Sequence, residues 1–299
     1  MEMFYLAILA ALFAALCQSL TDITTKLAVD HAFDEEILVT QWVSGATILI
    51  IFSLFLYPNF LFHPIDVSNA LIGKEFCKLL LLSATLNIAA YSFYIIALRA
   101  SQASLIIPLV LITPIFMLFT SPIMLGENTP PTGIIGVILI LAGLGIFDKN
   151  FYKIDKSFFK VLKYPGALAM LMAASLWSVT SNIDKLGLKN SSPLLWITAL
   201  TTAISCGAIL NWLAKKSRQL SLWQMRYAIL GGIFTAIGNL ALVWAMSILF
   251  VPYVIAIKRI SAFLTVVLSG RLLKEPVQNR LTACLVMLLG AILIMLARN

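Results

Sequence analysis

Charge is scarce in this sequence. Only 11% of its 299 residues are Asp, Glu, Lys or Arg, against about 25% in soluble domains. So few charges cannot clothe a soluble surface. Histidine is nearly missing as well: His31 and His63 lie in connecting segments with no partner motif, which leaves no basis for a metal site. The four cysteines, Cys17, Cys77, Cys206 and Cys284, show no Cys-x-x-Cys spacing and sit in or beside apolar runs, so they read as small packing residues. No Gly-x-x-x-x-Gly-Lys-Ser/Thr occurs, which argues against direct use of ATP. No cofactor is expected. Pairs of His, Asp and Glu that a membrane-embedded enzyme needs are absent from the apolar runs, so enzymatic activity is not expected either.

What fills the chain instead is apolar. Hydrophobic residues make up 61% and the mean hydropathy is +0.99. Uncharged stretches recur along its whole length, each near the ~20 residues a helix needs to cross ~30 Å of hydrocarbon. Ten spans are predicted, at about 4–21, 37–57, 77–98, 102–124, 132–148, 164–183, 193–214, 226–248, 250–270 and 280–297. The expected class is an all-α polytopic membrane protein with no room for a soluble domain. Glu2, the lack of a basic start and the polar exit from Gln18 to Lys26 argue against reading the first span as a cleaved signal peptide. The net charge of +8 sits mostly in connections, where Lys and Arg mark a membrane face, so nucleic acid is not an expected partner.

The chain repeats itself. Ala14 to Ala28 aligns with Ala173 to Gly187 at six of fifteen positions, among them Ser19/Ser178, Thr21/Thr180 and Lys26/Lys185. Further on, Leu125-Gly126-Glu127 matches Leu273-Lys274-Glu275, and Ala97, Ile107 and Ser121 match Ala245, Ile255 and Ser269. The halves are expected at 1–150 and 151–299, with five spans each. An odd number of spans inverts the second copy relative to the first, an architecture common in alternating-access carriers with a midplane site between the repeats. The other reading is a non-transporting scaffold or accessory protein built on the same duplication.

One pair of residues stands out. Lys258 and Arg259 lie inside Phe250 to Leu268, a stretch otherwise apolar enough to span. A cation at the centre of a span costs about 2.5–3.5 kcal/mol on insertion scales, so two adjacent ones call for a compensating role. Arg offers a planar fork for carboxylate or phosphate, and Lys a compact charge beside it. The alternatives are a buried structural network with Asp22, Asp184 or Glu127, or snorkelling to the interface.

Other polar residues fall at helical spacing. Asn87, Tyr91 and Tyr94 share one face of the third span, with Thr235 and Asn239 at the positions matching Asn87 and Tyr91 in the eighth. They line a cavity or make helix–helix hydrogen bonds. Gln18, Trp177 and Asn182 are further lining candidates. Asp22 and Lys26, four apart, can pair on one face, and Asp184 and Lys185 occupy the comparable exit of the sixth span; these are candidates for a gate or for interfacial anchoring. Glu127 and Glu275 read as carboxylates favoured by a helix N-terminus. Pro108, Pro114 and Pro122 are expected to kink the fourth span and free carbonyls.

The paired Lys26 and Lys185, Ala97-Leu98 and Ala245-Met246, Pro114 leading to Gly126-Glu127, and Glu275 before Leu288-Leu-Gly-Ala-Ile-Leu-Ile294 together resemble the ten-helix EamA family of the drug/metabolite transporter superfamily. The resemblance implies a secondary carrier of small polar metabolites, amino acids or anionic ones, often exported, working without an ATPase. It further implies a multi-pass protein of a bacterial cytoplasmic membrane, a monomer or homodimer, whose partners are the bilayer and a small-molecule substrate. Ile257-Lys258-Arg259-Ile260 also resembles the Lys-Arg of plastid triose-phosphate/phosphate translocators, where the pair holds substrate phosphate. The first half has Val110-Leu111 there. Small multidrug resistance transporters place a glutamate eight residues before the lysine closing their first span, but here Gln18 and Trp177 stand at that place, which disfavours proton-coupled export of lipophilic cations. Orientation is pulled two ways. Odd-numbered connections carry 14 Lys/Arg and even-numbered ones with the C-terminus five, which puts both termini outside, whereas the resemblance puts them in the cytoplasm.

Overall fold

The computed structural model describes residues 2–56, 73–126, 132–146, 164–189, 191–214, 222–246, 248, 254 and 257–296. The described elements are helical: α1 Glu2–Ala28, α2 Asp34–Leu56, α3 Lys74–Ala100, α4 Ala103–Ile106, α5 Thr113–Leu125, α6 Thr132–Ile146, α7 Ala167–Lys189, α8 Pro193–Ala214, α9 Leu222–Met246, α10 Ile260–Leu272 and α11 Gln278–Leu296. A 3-10 segment, Ile107–Ile112, joins α4 to α5, so that Ala103–Leu125 forms one span. At ~1.5 Å per residue, the 23 residues of α2 reach about 35 Å, enough for the hydrocarbon core. Six helices among the described residues are long and apolar enough to cross a membrane. The α7 segment carries Asp184, Lys185 and Lys189, and α6, α10 and α11 are shorter apolar helices. All ten predicted spans coincide with described helix, though the ends near 57, 147–148, 247 and 297 and the start of the ninth lie outside the described residues, as does the expected boundary at 150.

Large apolar side chains point outward. Ile123 is 85% exposed and Phe55 82%, with Phe119, Leu210 and Leu81 close behind. Water would not tolerate that surface, but lipid tails are its natural surroundings. The interior packs large apolar side chains too, Trp196, Ile37, Leu49 and Met170 among them, together with many buried hydroxyls: Ser19, Thr21, Thr25, Ser83, Ser104, Thr113, Ser121, Ser178, Thr265 and Ser269.

The two halves are interleaved. Helix α1 packs on α9, and α3, which matches α9 in the repeat, packs on α7, which matches α1. Likewise α2 meets α8, α6 meets α11, and α10 meets both α4 and the 3-10 segment. Each contact is thus either its own image or has one in the other half, as an inverted repeat about an in-plane axis requires.

Glycine makes the closest crossing possible. A Cβ on Gly232 would lie 1.9 Å from Ser44 Oγ and 2.2 Å from Gln41 O, so α9 and α2 touch backbone to backbone. Around it Thr21 Oγ1 reaches Gly231 O at 3.3 Å and Thr235 Oγ1 at 3.2 Å, and Thr25 Oγ1 donates to Gln41 Oε1 at 3.3 Å. Of the two uses open to Thr235, helix–helix bonding is the one adopted.

Both central spans are broken at matching places. In the first half Pro108 opens the 3-10 turn and Pro114 opens α5. Pro114 has no N–H for Val110 O, and Thr113 Oγ1 donates to that carbonyl at 2.6 Å. In the second half Arg259 is a turn residue and α10 starts at Ile260.

Candidate functional site

Helix α1 carries Gln18 and Asp22 one turn apart, and Gln18 Nε2 donates to Asp22 Oδ1 at 3.1 Å. Asp22 is buried and collects two further donors, Tyr94 OH from α3 at 2.7 Å on Oδ1 and Thr265 Oγ1 from α10 at 2.7 Å on Oδ2. Three helices from both halves therefore meet on one carboxylate. A buried carboxylate is tolerable only with such donors.

Beside it stands an aromatic wall. Tyr91 meets Trp177 with ring centroids 5.3 Å apart, Trp42 at 4.7 Å and Tyr94 at 6.1 Å, and Tyr94 meets Trp177 at 5.7 Å. On the far side Ser83 Oγ donates to Asp184 Oδ1 at 2.6 Å, and the buried Asn87 donates to Ser83 O at 3.0 Å and Oγ at 3.2 Å. The polar stripe of α3 thus spans from Asp184 past Tyr91 to Asp22, on the side of α3 that packs against α7.

Lys258 and Arg259 occupy the break in the ninth span and are half-buried. Asp22 and Asp184 both act on the Lys258 ammonium through space. Yet neither cation makes an ion pair with a described residue, and Arg259 Nε is buried without a hydrogen-bond partner. Glu127, the third expected partner, lies outside the described residues. Orphaned N–H groups of this kind are rare in folded chains and mark a place where an acceptor fits.

Other expected residues fall elsewhere. Asp22 and Lys26 do not pair: the carboxylate is taken by its three donors, and Lys26 Nζ turns to Leu98 O at 2.5 Å and Ser101 O at 2.8 Å. Those carbonyls close α3, whose last turn leaves carbonyls open to a cation. Asn182 binds α5, accepting from Ser121 Oγ at 2.9 Å and donating to Thr120 Oγ1 at 3.0 Å. Asn239 is on α9, where the described residues give it no hydrogen bond. Lys185 lies one residue beyond Asp184 at the exit of α7. Among the described residues no group of His, Cys, Asp and Glu converges on a point that could hold a metal ion.

Two contributors were not foreseen. Ser83 sits one turn before Asn87 on the same face of α3, a signal present in the spacing. Thr265, two turns after Lys258, had only its register to announce it.

A bundle of inverted five-helix repeats, with both central spans broken, is an architecture of polytopic membrane transporters. The profile of the EamA-like transporter family matches residues 5–147 and 164–297, so the chain belongs to that family and carries its repeat twice. A crystal structure described only as that of a protein superposes with a TM-score of 0.65 at 16% sequence identity, covering 98% of this chain and 97% of the other. At that identity the likeness is one of fold. No curated protein matches the sequence.

Proposed function

We propose that this transporter is a secondary carrier of small polar metabolites that bear an anionic group, amino acids or anionic metabolites, across the bacterial cytoplasmic membrane. Lys258 and Arg259 receive that group at the midplane, and rocking of one repeat against the other exposes it to each side in turn. The observation that carries this reading is the break at Arg259: two half-buried cations, no carboxylate in ion-pairing distance among the described residues, and an unpartnered guanidinium Nε. A structural ion-pair network would have used those groups. The Lys-Arg at this place in triose-phosphate translocators supports the same chemistry. Gln18, Asn87, Tyr91 and Trp177 wall the site, and Asp22 and Asp184 hold its shape through Tyr94, Thr265 and Ser83. The protein works as a monomer or homodimer, with no enzymatic step and no cofactor.

Counterflow in proteoliposomes tests it. Vesicles preloaded with amino acids, organic acids or phosphorylated metabolites are challenged with the labelled solute, for wild type and for Lys258→Ala/Arg259→Ala. Loss of two charge-assisted contacts, each worth about 1.5–3 kcal/mol, should weaken apparent affinity at least about 100-fold. Exchange that persists in the folded variant makes the pair structural. Absence of exchange with every solute favours a scaffold.

A further inference from the structure

Helix α10 ends on a turn unlike an ordinary stop. Leu273 N–H and Glu275 N–H both reach Ser269 O, at 3.0 and 3.3 Å, and between them Lys274 adopts a left-handed φ of 54°. The turn aims Glu275 away from the start of α11 and into the other half. There its Oε1 accepts Ala103 N–H at 2.9 Å, and its Oε2 accepts Ser104 N–H at 2.8 Å and Ser104 Oγ at 2.5 Å. These are the first N–H groups of the fourth span, which lack intrahelical partners. The residue placed to cap them, Gln102, makes no cap with its own side chain. The second half supplies what the first half's sequence leaves out.

The contact is braced from both sides. Arg280 Nη1 donates to Ser104 Oγ, and Ser101 Oγ donates to Pro165 O. Lys26 closes the other flank through Leu98 O and Ser101 O. The turn between α3 and α4 is therefore pinned to the turn between α10 and α11, at one end of the two broken spans, the second of which carries Lys258 and Arg259. No opening of that end can separate these turns without releasing all three bonds to Glu275 together.

The sequence of the other half does not repeat this donor set. The repeat offset of 148 that pairs Glu127 with Glu275 puts Val251 and Pro252 at the places of Ala103 and Ser104. Proline has neither an N–H nor a hydroxyl, so two of the three donors are missing there by composition.

We infer that Glu275 is a one-sided gate latch. Its carboxylate, gripping Ala103 and Ser104, holds one end of the transport path shut and must let go before that end opens. This role rests on the alternating-access reading above. It goes beyond the helix-dipole role expected from sequence, because the helix it serves is in the other repeat.

Spin labels at the exposed positions Gln102 and Gln278, in a background with Cys17, Cys77, Cys206 and Cys284 replaced, report the separation in lipid nanodiscs by pulsed electron resonance. Wild type should give one short-distance population. Glu275→Ala should add a longer one, with the open-to-closed ratio raised at least about tenfold, and Glu127→Ala should leave the short population unchanged. A Glu275→Ala distribution superposable on wild type, in protein that elutes as a folded monodisperse species, overturns the latch. If that variant does not fold, Glu275→Gln combined with Ser104→Ala is read instead, and an unchanged distribution there overturns it equally. The readout needs no substrate, so failure to find exchange leaves it intact, and exchange by wild type cannot rescue it.

Discussion

Thr265→Val removes a hydroxyl that joins the two halves and also reaches Ser261 O of its own helix at 2.9 Å, a contact that cancels in a double-variant cycle. The substitution keeps the volume of a fully buried side chain and removes only the hydroxyl that lies 2.7 Å from Asp22 Oδ2. Hydrogen bonds between membrane helices couple by about 0.6 kcal/mol on average, since partners abound in the membrane-embedded reference state. A bond to a carboxylate is stronger, about 1.5–3 kcal/mol, and Oδ2 has no second donor among the described hydrogen bonds, whereas Oδ1 has two. The expected coupling in a cycle of Thr265→Val, Asp22→Ala and the double variant is therefore about 1.5–3 kcal/mol. Equilibrium unfolding in mixed micelles titrated with dodecyl sulfate, followed by tryptophan fluorescence, measures it. Thr24→Val is the control, because among the described hydrogen bonds Thr24 Oγ1 reaches only carbonyls of its own helix, Leu20 O at 2.8 Å and Thr21 O at 3.0 Å. It should cost under about 1 kcal/mol and show no coupling to Asp22. A Thr265–Asp22 coupling below about 0.5 kcal/mol refutes the reasoning, because the carboxylate would then hold its place without the second half.

Three further outcomes are expected. Gly232→Ala drives a Cβ to 2.2 Å from a backbone oxygen of α2. It should cost about 3 kcal/mol or prevent assembly, seen as a lowered thermal midpoint of the monodisperse peak in detergent, and an unchanged midpoint rules out the backbone contact. Gly126 and Lys274 occupy matching turns with φ of 68° and 54°, and nothing lies within 4 Å of a Cβ at Gly126. Gly126→Ala should thus lose about 1 kcal/mol by backbone strain alone, while Lys274→Ala, already bearing a Cβ, stays within about 0.5 kcal/mol; equal losses would contradict the assigned turn. Lys26→Met removes the cation from Leu98 O and Ser101 O and should lower stability by about 1.5 kcal/mol in the same unfolding titration. A wild-type titration curve for Lys26→Met means that the ammonium serves only as an interfacial anchor.

The sequence alone determined the class of molecule and its plan. Hydropathy summed over a span is a property of consecutive residues, so the spans were legible wherever a helix is now described. The duplication was equally legible, because Ser19/Ser178 and Lys26/Lys185 need only be aligned. Family membership followed from the same order of weak motifs. Lys258 and Arg259 announced themselves because charge is so costly inside such a stretch.

Only the tertiary structure decided partners. Asp22 and Lys26 are one turn apart and could have paired, yet one turned inward to Tyr94 and Thr265 and the other to the carbonyls ending α3. Glu275 looked like the acidic start of its own last helix and instead caps a helix of the other repeat. Spacing along one helix tells which residues share a face, but the interleaving of two halves tells what that face meets. Choices between a near partner and a distant one are settled by desolvation and by orphaned backbone groups, and those exist only once α1, α3, α4 and α10 have been brought together.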